Sequence, residues 1–213
     1  MSIEELLKAQ DAINVVGNAQ SLLNQEYGAQ INAHFVVRFN VHPFIDESKQ
    51  GSKCDLLVSG QQRAADFYAN NKDKIRFTSV LVQHNKRNMF NKLNKFASIE
   101  IDIIPASVTN KMKSIYPKDR ITYEKYYFKD MNKEVKIVNR KVSRSKVQDA
   151  SIGFIFLYYC WSLGLKNLNL YGFDWKNSIS IHTNEQFLGP HNWPFEREKI
   201  EEWAKELDWV LHL

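Results

Sequence analysis

Short apolar runs recur along the first half of this chain, each stopped by a turn-forming or polar residue before the next begins. They are Ile13–Val16, Phe35–Phe39, Lys53–Gly60, Phe77–Val82 and Ile99–Ile104, spaced roughly every 20 to 25 residues. An apolar run without in-out alternation suits a strand covered on both faces, as in a parallel sheet. Polar or helical material between such strands argues for βαβ units. The expected fold class is therefore α/β: a single Rossmann-like domain over residues 1–213, with a mainly parallel central sheet flanked by helices. Helices are expected over residues 2–10, from Ala19 to Leu23 and through Gly153–Leu163, a stretch apolar all round as a buried helix would be. Gly164 ends that helix, and Asn167–Phe173 returns as a strand. Along Pro194–Leu211, Phe195, Ile200, Trp203, Leu207 and Val210 fall at helical spacing and read as core packing. Residues 129–146 are polar, basic and without a helical stripe; they read as a mobile loop, either a solvated linker or a lid over an anionic ligand.

Composition narrows the class. With 213 residues, 44% hydrophobic and 25% charged, the chain suits one soluble domain, and no apolar run approaches the roughly 18 to 20 residues that span a bilayer. The start, MSIEELLKAQDA, is acidic and amphipathic and does not read as a signal peptide, so a cytoplasmic location is expected. Cys54 and Cys160 lack any CxxC or Cys/His spacing and read as free thiols. A net charge of +5 suits an anionic ligand, a phospholipid surface or RNA without choosing among them.

The first two strands end in Gly17-Asn18 and in Asn40, which a parallel sheet would set side by side at its carboxyl edge, where open α/β folds bind ligands. A glycine turn lets backbone N–H groups approach a phosphate. It is also an ordinary tight turn, and neither GxGxxG nor GxxxxGK[ST] is present. The surrounding block, Val15–Pro43, resembles motif L of glycosyltransferase family 29, the sialyltransferases. It does so through Val15, Val16, Gly17, Asn18, Ser21, Leu22, Gly28, Ile31, His34, Val37, Arg38, Phe39, Asn40 and Pro43, continuing into Gly51-Ser52-Lys53 and Asp55. Ser151-Ile152-Gly153, the apolar helix and Leu170-Tyr171-Gly172-Phe173 resemble motif S. His191, with Glu196 five positions on, is similar to the motif called VS.

The resemblance implies a variant GT-A-like fold and an inverting, metal-independent transfer of sialic acid from CMP-sialic acid to a glycan hydroxyl. It also implies no cofactor, a glycan or glycolipid acceptor, and His191 and His182 as catalytic residues. Donor contacts are expected from Gly17, Asn18, Ser21, Asn40, Ser151, Ile152, Gly153, Gly172 and Trp175. The residues agree for His191: it precedes a helix start, where the dipole opposes protonation and favours a neutral base. Glu196 is expected to support that first turn or a backbone N–H rather than to act chemically, and His34 to be structural. Ser151 reads either as an anion-site hydroxyl or as a plain N-cap. Trp175 either stacks on a ligand or packs. Glu100-Ile101-Asp102, the nearest approach to a metal-binding Asp-x-Asp, lies in an apparently buried strand and is a poor cation site. Animal members have a disulfide joining motifs L and S and a transmembrane anchor. Neither is visible here, which points to a bacterial member of minimal length, with room for peripheral contact at the inner membrane face. A CMP-Kdo-dependent transferase is the nearest alternative; a noncatalytic basic nucleotide- or RNA-binding module is the second. No nucleic-acid partner is expected of the enzyme.

Overall fold

Each of the five apolar runs becomes a strand of one sheet: β1 (Ile13–Val16), β2 (Phe35–Phe39), β3 (Leu56–Ser59), β4 (Ser79–Gln83) and β5 (Glu100–Ile104). The computed structural model describes residues 1–42, 45–83, 99–129, 136–175 and 191–212, with the backbone alone for 62–63 and 121–146. Next along the chain, β6 (Arg120–Lys129) and β7 (Lys136–Val147) pair antiparallel as a separate two-stranded sheet. Two further strands, β8 (Leu168–Tyr171) and β9 (Val210–His212), join the main sheet, whose order is β5-β4-β3-β2-β1-β8-β9. Every pairing in it is parallel, and β1 sits between β2 (Val16 opposite Arg38) and β8 (Val16 opposite Tyr171).

Burial explains the runs. In β3, Leu56 and Val58 join one apolar cluster and Leu57 another, so the sheet is covered on both faces. The helices that do this are α1 (Ile3–Lys8), α2 (Gly28–Asn32), α3 (Glu47–Gln50), α4 (Gln62–Asn70), α5 (Ala106–Ile115), α6 (Ile152–Ser162) and α7 (Trp193–Leu207). Helix α6 is buried without interruption from Phe154 to Cys160, and its Phe156 meets Phe39 of β2 with ring centroids 5.9 Å apart. Trp203 of α7 closes the outer side, 5.1 Å from Phe154. Each such side chain contributes about 1.5–3 kcal/mol by leaving water. The opposite face is filled by Ala64, Ala65, Phe67 and Tyr68 of α4 with Phe77.

One polar residue holds β1 in place. Asn14 is fully buried, donates to the Gln30 and Ile31 carbonyls that end α2 (2.9 and 2.8 Å), and accepts from Asn169 of β8 at 2.9 Å. At the far edge, Asp102 of β5 accepts the Ile3 backbone N–H at 3.0 Å, tying α1 to the sheet.

Three expectations are corrected. Residues 129–146 are not a loop in their described part, because β7 pairs with β6 over its length and sets Ile137 opposite Phe128 and Val138 opposite Tyr127. The stretch after β1 is a 3₁₀ turn, Gln20–Asn24, with no side-chain cap at Ala19; a short α2 follows. The last helix stops at Leu207, where Asp208 is left-handed (φ 57°) and the buried Trp209 donates its indole N–H to the Leu165 carbonyl at 2.6 Å. Val210 therefore belongs to β9, not to the helical stripe.

Candidate active site

From β1 the chain builds outward through β2 to β5, then returns to add β8 and β9 on the other side, so the strand order reverses between β1 and β8. Ligand crevices of open α/β sheets lie at the carboxyl ends of the strands at such a reversal. Here the two strand ends touch. The Gly17 N–H donates to the Tyr171 carbonyl at 2.7 Å, and a Cβ on Gly17 would sit 2.3 Å from the Gly172 carbonyl oxygen. Gly172 has φ 68°, a conformation costly to any residue with a side chain. Glycine is required on both sides for the turns to pass this closely.

Asn18 and Asn40 follow β1 and β2 and do lie side by side. Asn18 donates Nδ2–H to the Phe39 carbonyl at 3.2 Å, and its Oδ1 is 2.8 Å from His42 Nδ1. The Nε2 of His42 lies 2.7 Å from Nη1 of Arg38. That guanidinium is fully buried and also donates to the Lys53 and Gln50 carbonyls at 2.7 and 2.6 Å. Burial lowers the Arg38 pKa to about 10, still well above neutrality. Asn40 is left-handed (φ 54°); its Oδ1 accepts from Ser59 of β3 at 2.9 Å and its carbonyl from the Tyr68 hydroxyl at 3.3 Å.

The start of α6 is reached through Phe173. Its ring lies 3.5 Å from where a Cβ of Gly153 would be and 3.4 Å from where one of Gly17 would be, which sets the Ser151-Ile152-Gly153 turn against the strand reversal. Ser151 caps α6, accepting from the Phe154 N–H at 3.0 Å. Its hydroxyl and its backbone N–H both go to Glu196, at 2.6 and 2.8 Å. The anion bound by this Ser151 turn is thus a carboxylate from α7, while Ile152 and Gly153 open the helix with N–H groups that have no acceptor within it. Glu196 also accepts from the Tyr116 hydroxyl at 2.8 Å, and Tyr116 in turn accepts from the Asn192 N–H at 2.8 Å. Glu196 supports the first turn of α6 rather than that of its own helix. Burial raises its pKa to about 7 against the pull of its donors.

His191 stands just before Asn192, which caps α7 by accepting from the Phe195 N–H. Its Nδ1 is 2.5 Å from the Asp149 carbonyl. A carbonyl only accepts, so Nδ1 carries a proton, and in the neutral ring Nε2 is the acceptor. The Trp193 ring stands edge-on at 5.1 Å. Glu196, bonded to Ser151 on one side and to Asn192 through Tyr116 on the other, links the histidine to the end of the crevice marked by Gly17 and Gly172.

The other expected residues divide. Ser21 lies half-buried in the 3₁₀ turn. Trp175 is left-handed (φ 57°), packs 6.1 Å from Phe173, and holds a buried indole N–H with no partner among the described residues. His182 lies outside the described residues. His34 is exposed, and only its carbonyl is engaged, by Lys53. No group of His, Cys, Asp and Glu among the described residues has a metal-holding arrangement. Both cysteines are free and buried. Sequence reasoning missed His42, Ser59, Tyr116 and Asp149. His42 was open to notice, two positions beyond Asn40, whereas nothing local marks Tyr116, which acts on residues about 80 positions away.

A sequence model of glycosyltransferase family 29 (sialyltransferase) matches residues 10–206. A sequence search of curated proteins found no significant match. Among solved structures, the chain is similar to a mammalian sialyltransferase in complex with Gal-β-1-3GalNAc-ortho-nitrophenol, with TM-score 0.57 and 15% identity over 94% of this chain and 68% of that one. It is also similar to the sialyltransferase CstII from Campylobacter jejuni in complex with CMP-3FNeuAc, with TM-score 0.56 and 15% identity over 94% and 80%. An α-2,3-sialyltransferase from Campylobacter jejuni in apo form gives 0.52, with 15% identity over 96% and 75%. At such identities the likeness establishes the fold, and the match to the family model over nearly the whole chain establishes descent: the chain belongs to glycosyltransferase family 29, the sialyltransferases.

Proposed function

We propose that this protein transfers sialic acid from CMP-sialic acid to a glycan hydroxyl with inversion at the anomeric carbon, without a metal ion, and with His191 as general base. The observation that carries this reading is the Nδ1–H bond from His191 to the Asp149 carbonyl, which makes Nε2 the acceptor nitrogen of the neutral ring at the start of a 15-residue helix. A helix amino terminus disfavours imidazolium, which supports the role of general base for this ring. In the reaction the acceptor oxygen bonds to the anomeric carbon from the face opposite CMP. The bond from that carbon to the phosphate oxygen breaks, CMP leaves with the electron pair, and the hydroxyl proton passes to Nε2.

Donor binding is supported by the paired amides of Asn18 and Asn40, the close glycines Gly17 and Gly172, Ser21 in the adjoining turn, and the first N–H groups of α6 at Ile152 and Gly153. Ser151 serves this site indirectly, through its bonds to Glu196. The orphaned indole N–H of Trp175 is a further donor suited to a ligand oxygen. For His182 the resemblance alone supports a role near the donor phosphate or carboxylate. CstII has been solved with a CMP-sugar analogue and with a trisaccharide acceptor and CMP, which supports a nucleotide-sugar donor and a glycan acceptor for this chain as well.

The test offers CMP-N-acetylneuraminic acid and CMP-Kdo separately, with mixed acceptors and EDTA, and measures CMP release. Turnover is expected with the former and unaffected by chelator. His191→Ala should lower it at least 100-fold, the scale of a lost general base. Preference for CMP-Kdo would reassign the donor, and unchanged turnover in the variant would remove His191 from the mechanism.

A further inference from the structure

Resting on that reading of the site, one side chain of the switch-point turn poses a separate question. The amide of Asn18 can be turned end over end without moving the backbone, and the two orientations offer a ligand opposite chemistry: a donor to a nucleotide oxygen, or a repelling oxygen. Its neighbours decide between them. The Phe39 carbonyl, 3.2 Å away, only accepts, and so takes Nδ2–H. The other side of the amide faces His42 Nδ1 at 2.8 Å, whose role depends on the tautomer of the ring.

That tautomer is set from behind. Nη1 of Arg38 is 2.7 Å from His42 Nε2, and a guanidinium donates only and stays charged in proteins. Nε2 must therefore be the lone pair, Nδ1 the N–H, and Asn18 Oδ1 the acceptor. Arg38 cannot readily turn away, since its other nitrogens are held by the Lys53 and Gln50 carbonyls at 2.7 and 2.6 Å in a fully buried position. His42 itself is only 4% exposed, while Asn18 is half-exposed at the crevice. The order Arg38 to His42 to Asn18 to Phe39 is a one-way run of donors, anchored by a charge that does not change.

We propose that His42 is a positioning residue of the donor site: it passes the donor direction of buried Arg38 to Asn18, so that the amide offers the nucleotide its remaining Nδ2 hydrogen and not its oxygen. His42 touches no substrate in this arrangement and acts only through Asn18.

The test is a double-mutant cycle read by calorimetric titration of CMP, which requires no acceptor and no turnover. His42→Ala and Asn18→Ala should each weaken CMP binding about 10-fold, the scale of one hydrogen bond, and the double variant should be no weaker than Asn18→Ala alone. His42→Gln, whose Oε1 can accept from Arg38 while Nε2 donates to Asn18, should retain affinity within about 3-fold of wild type. Wild-type affinity in His42→Ala, additive losses in the double variant, or a Gln variant no better than Ala would each overturn the proposal. Nitrogen-15 correlation spectra of His42 in the wild-type protein provide a readout that needs no variant to fold: a proton on Nδ1 alone is expected, and a ring protonated on Nε2 overturns the proposal. Failure of the wild-type chain to bind CMP would instead sink the sialyltransferase reading, so the two failures are told apart.

Discussion

Glu196 and Arg38 are both charged side chains taken almost wholly out of water, and their surroundings treat them oppositely. Arg38 faces carbonyls and an imidazole lone pair, so its charge is satisfied and survives burial. Among the described residues Glu196 has the donors of Ser151 and Tyr116 to set against full desolvation, and desolvation wins, raising its pKa from 4.5 to about 7. A carboxyl whose folded pKa lies above its unfolded value binds its proton more tightly when folded. The stability it contributes is complete below about pH 4.5 and is lost as pH rises through about 7, an effect of about 3 kcal/mol. The thermal midpoint of the wild-type protein should therefore fall between pH 5 and 8, and the corresponding slope should be shallower in Glu196→Gln, which cannot titrate. Equal slopes in scanning calorimetry would mean that the donors around Glu196 hold it ionised throughout.

Between elements, backbone contact sets the tightest constraints. Gly17, just after β1, lies so close to the Gly172 carbonyl that an added methyl would meet main chain, which cannot swing aside as a flexible side chain would. Gly17→Ala should cost about 2–3 kcal/mol by prying β1 from β8, lowering the melting temperature by several degrees as well as weakening CMP binding. Asp102 offers the opposite case. Its carboxylate serves the α1 backbone, not the crevice, so Asp102→Ala should cost about 1 kcal/mol in denaturant melts while leaving turnover unaltered. A large loss of turnover there would reopen the Glu100-Ile101-Asp102 segment as a site.

Across the whole molecule the charge is unevenly placed. Residues 120–147, a stretch of sequence that includes β6 and β7, carry nine Lys and Arg against three Asp and Glu, a net +6, while the whole chain has +5; the other residues together sum to −1. No helix among the described residues is long and apolar enough to cross a membrane. We propose that this basic stretch favours peripheral contact with an acidic phospholipid surface, at about 1 kcal/mol per basic residue close to it. Vesicles containing phosphatidylglycerol should sediment with the protein at low salt and release it as salt rises, whereas neutral vesicles should not bind it. Retention after the hairpin lysines and arginines are replaced by glutamine would place the attraction elsewhere.

The sheet was legible because parallel strands buried on both faces must be apolar at nearly every position, a pattern that Ile13–Val16 and Phe35–Phe39 state without help from the rest of the chain. The glycines and amides of the first turns could be read too, since a close backbone approach leaves few residue types to choose from. The hairpin was not legible: β7 is polar enough to resemble a loop until β6 lies beside it. Nor was the end of α7, where a left-handed Asp208 breaks a helical period that Val210 continues in sequence alone. The partners of the site were hidden for the same reason. Tyr116 and Ser151 meet Glu196 across 80 and 45 positions, and Arg38 reaches Asn18 only through His42. A single sequence records which residues suit burial or a turn. Which buried donor finds which acceptor is decided only when the strands and helices pack, because a hydrogen bond depends on distance and direction in space and not on separation along the chain.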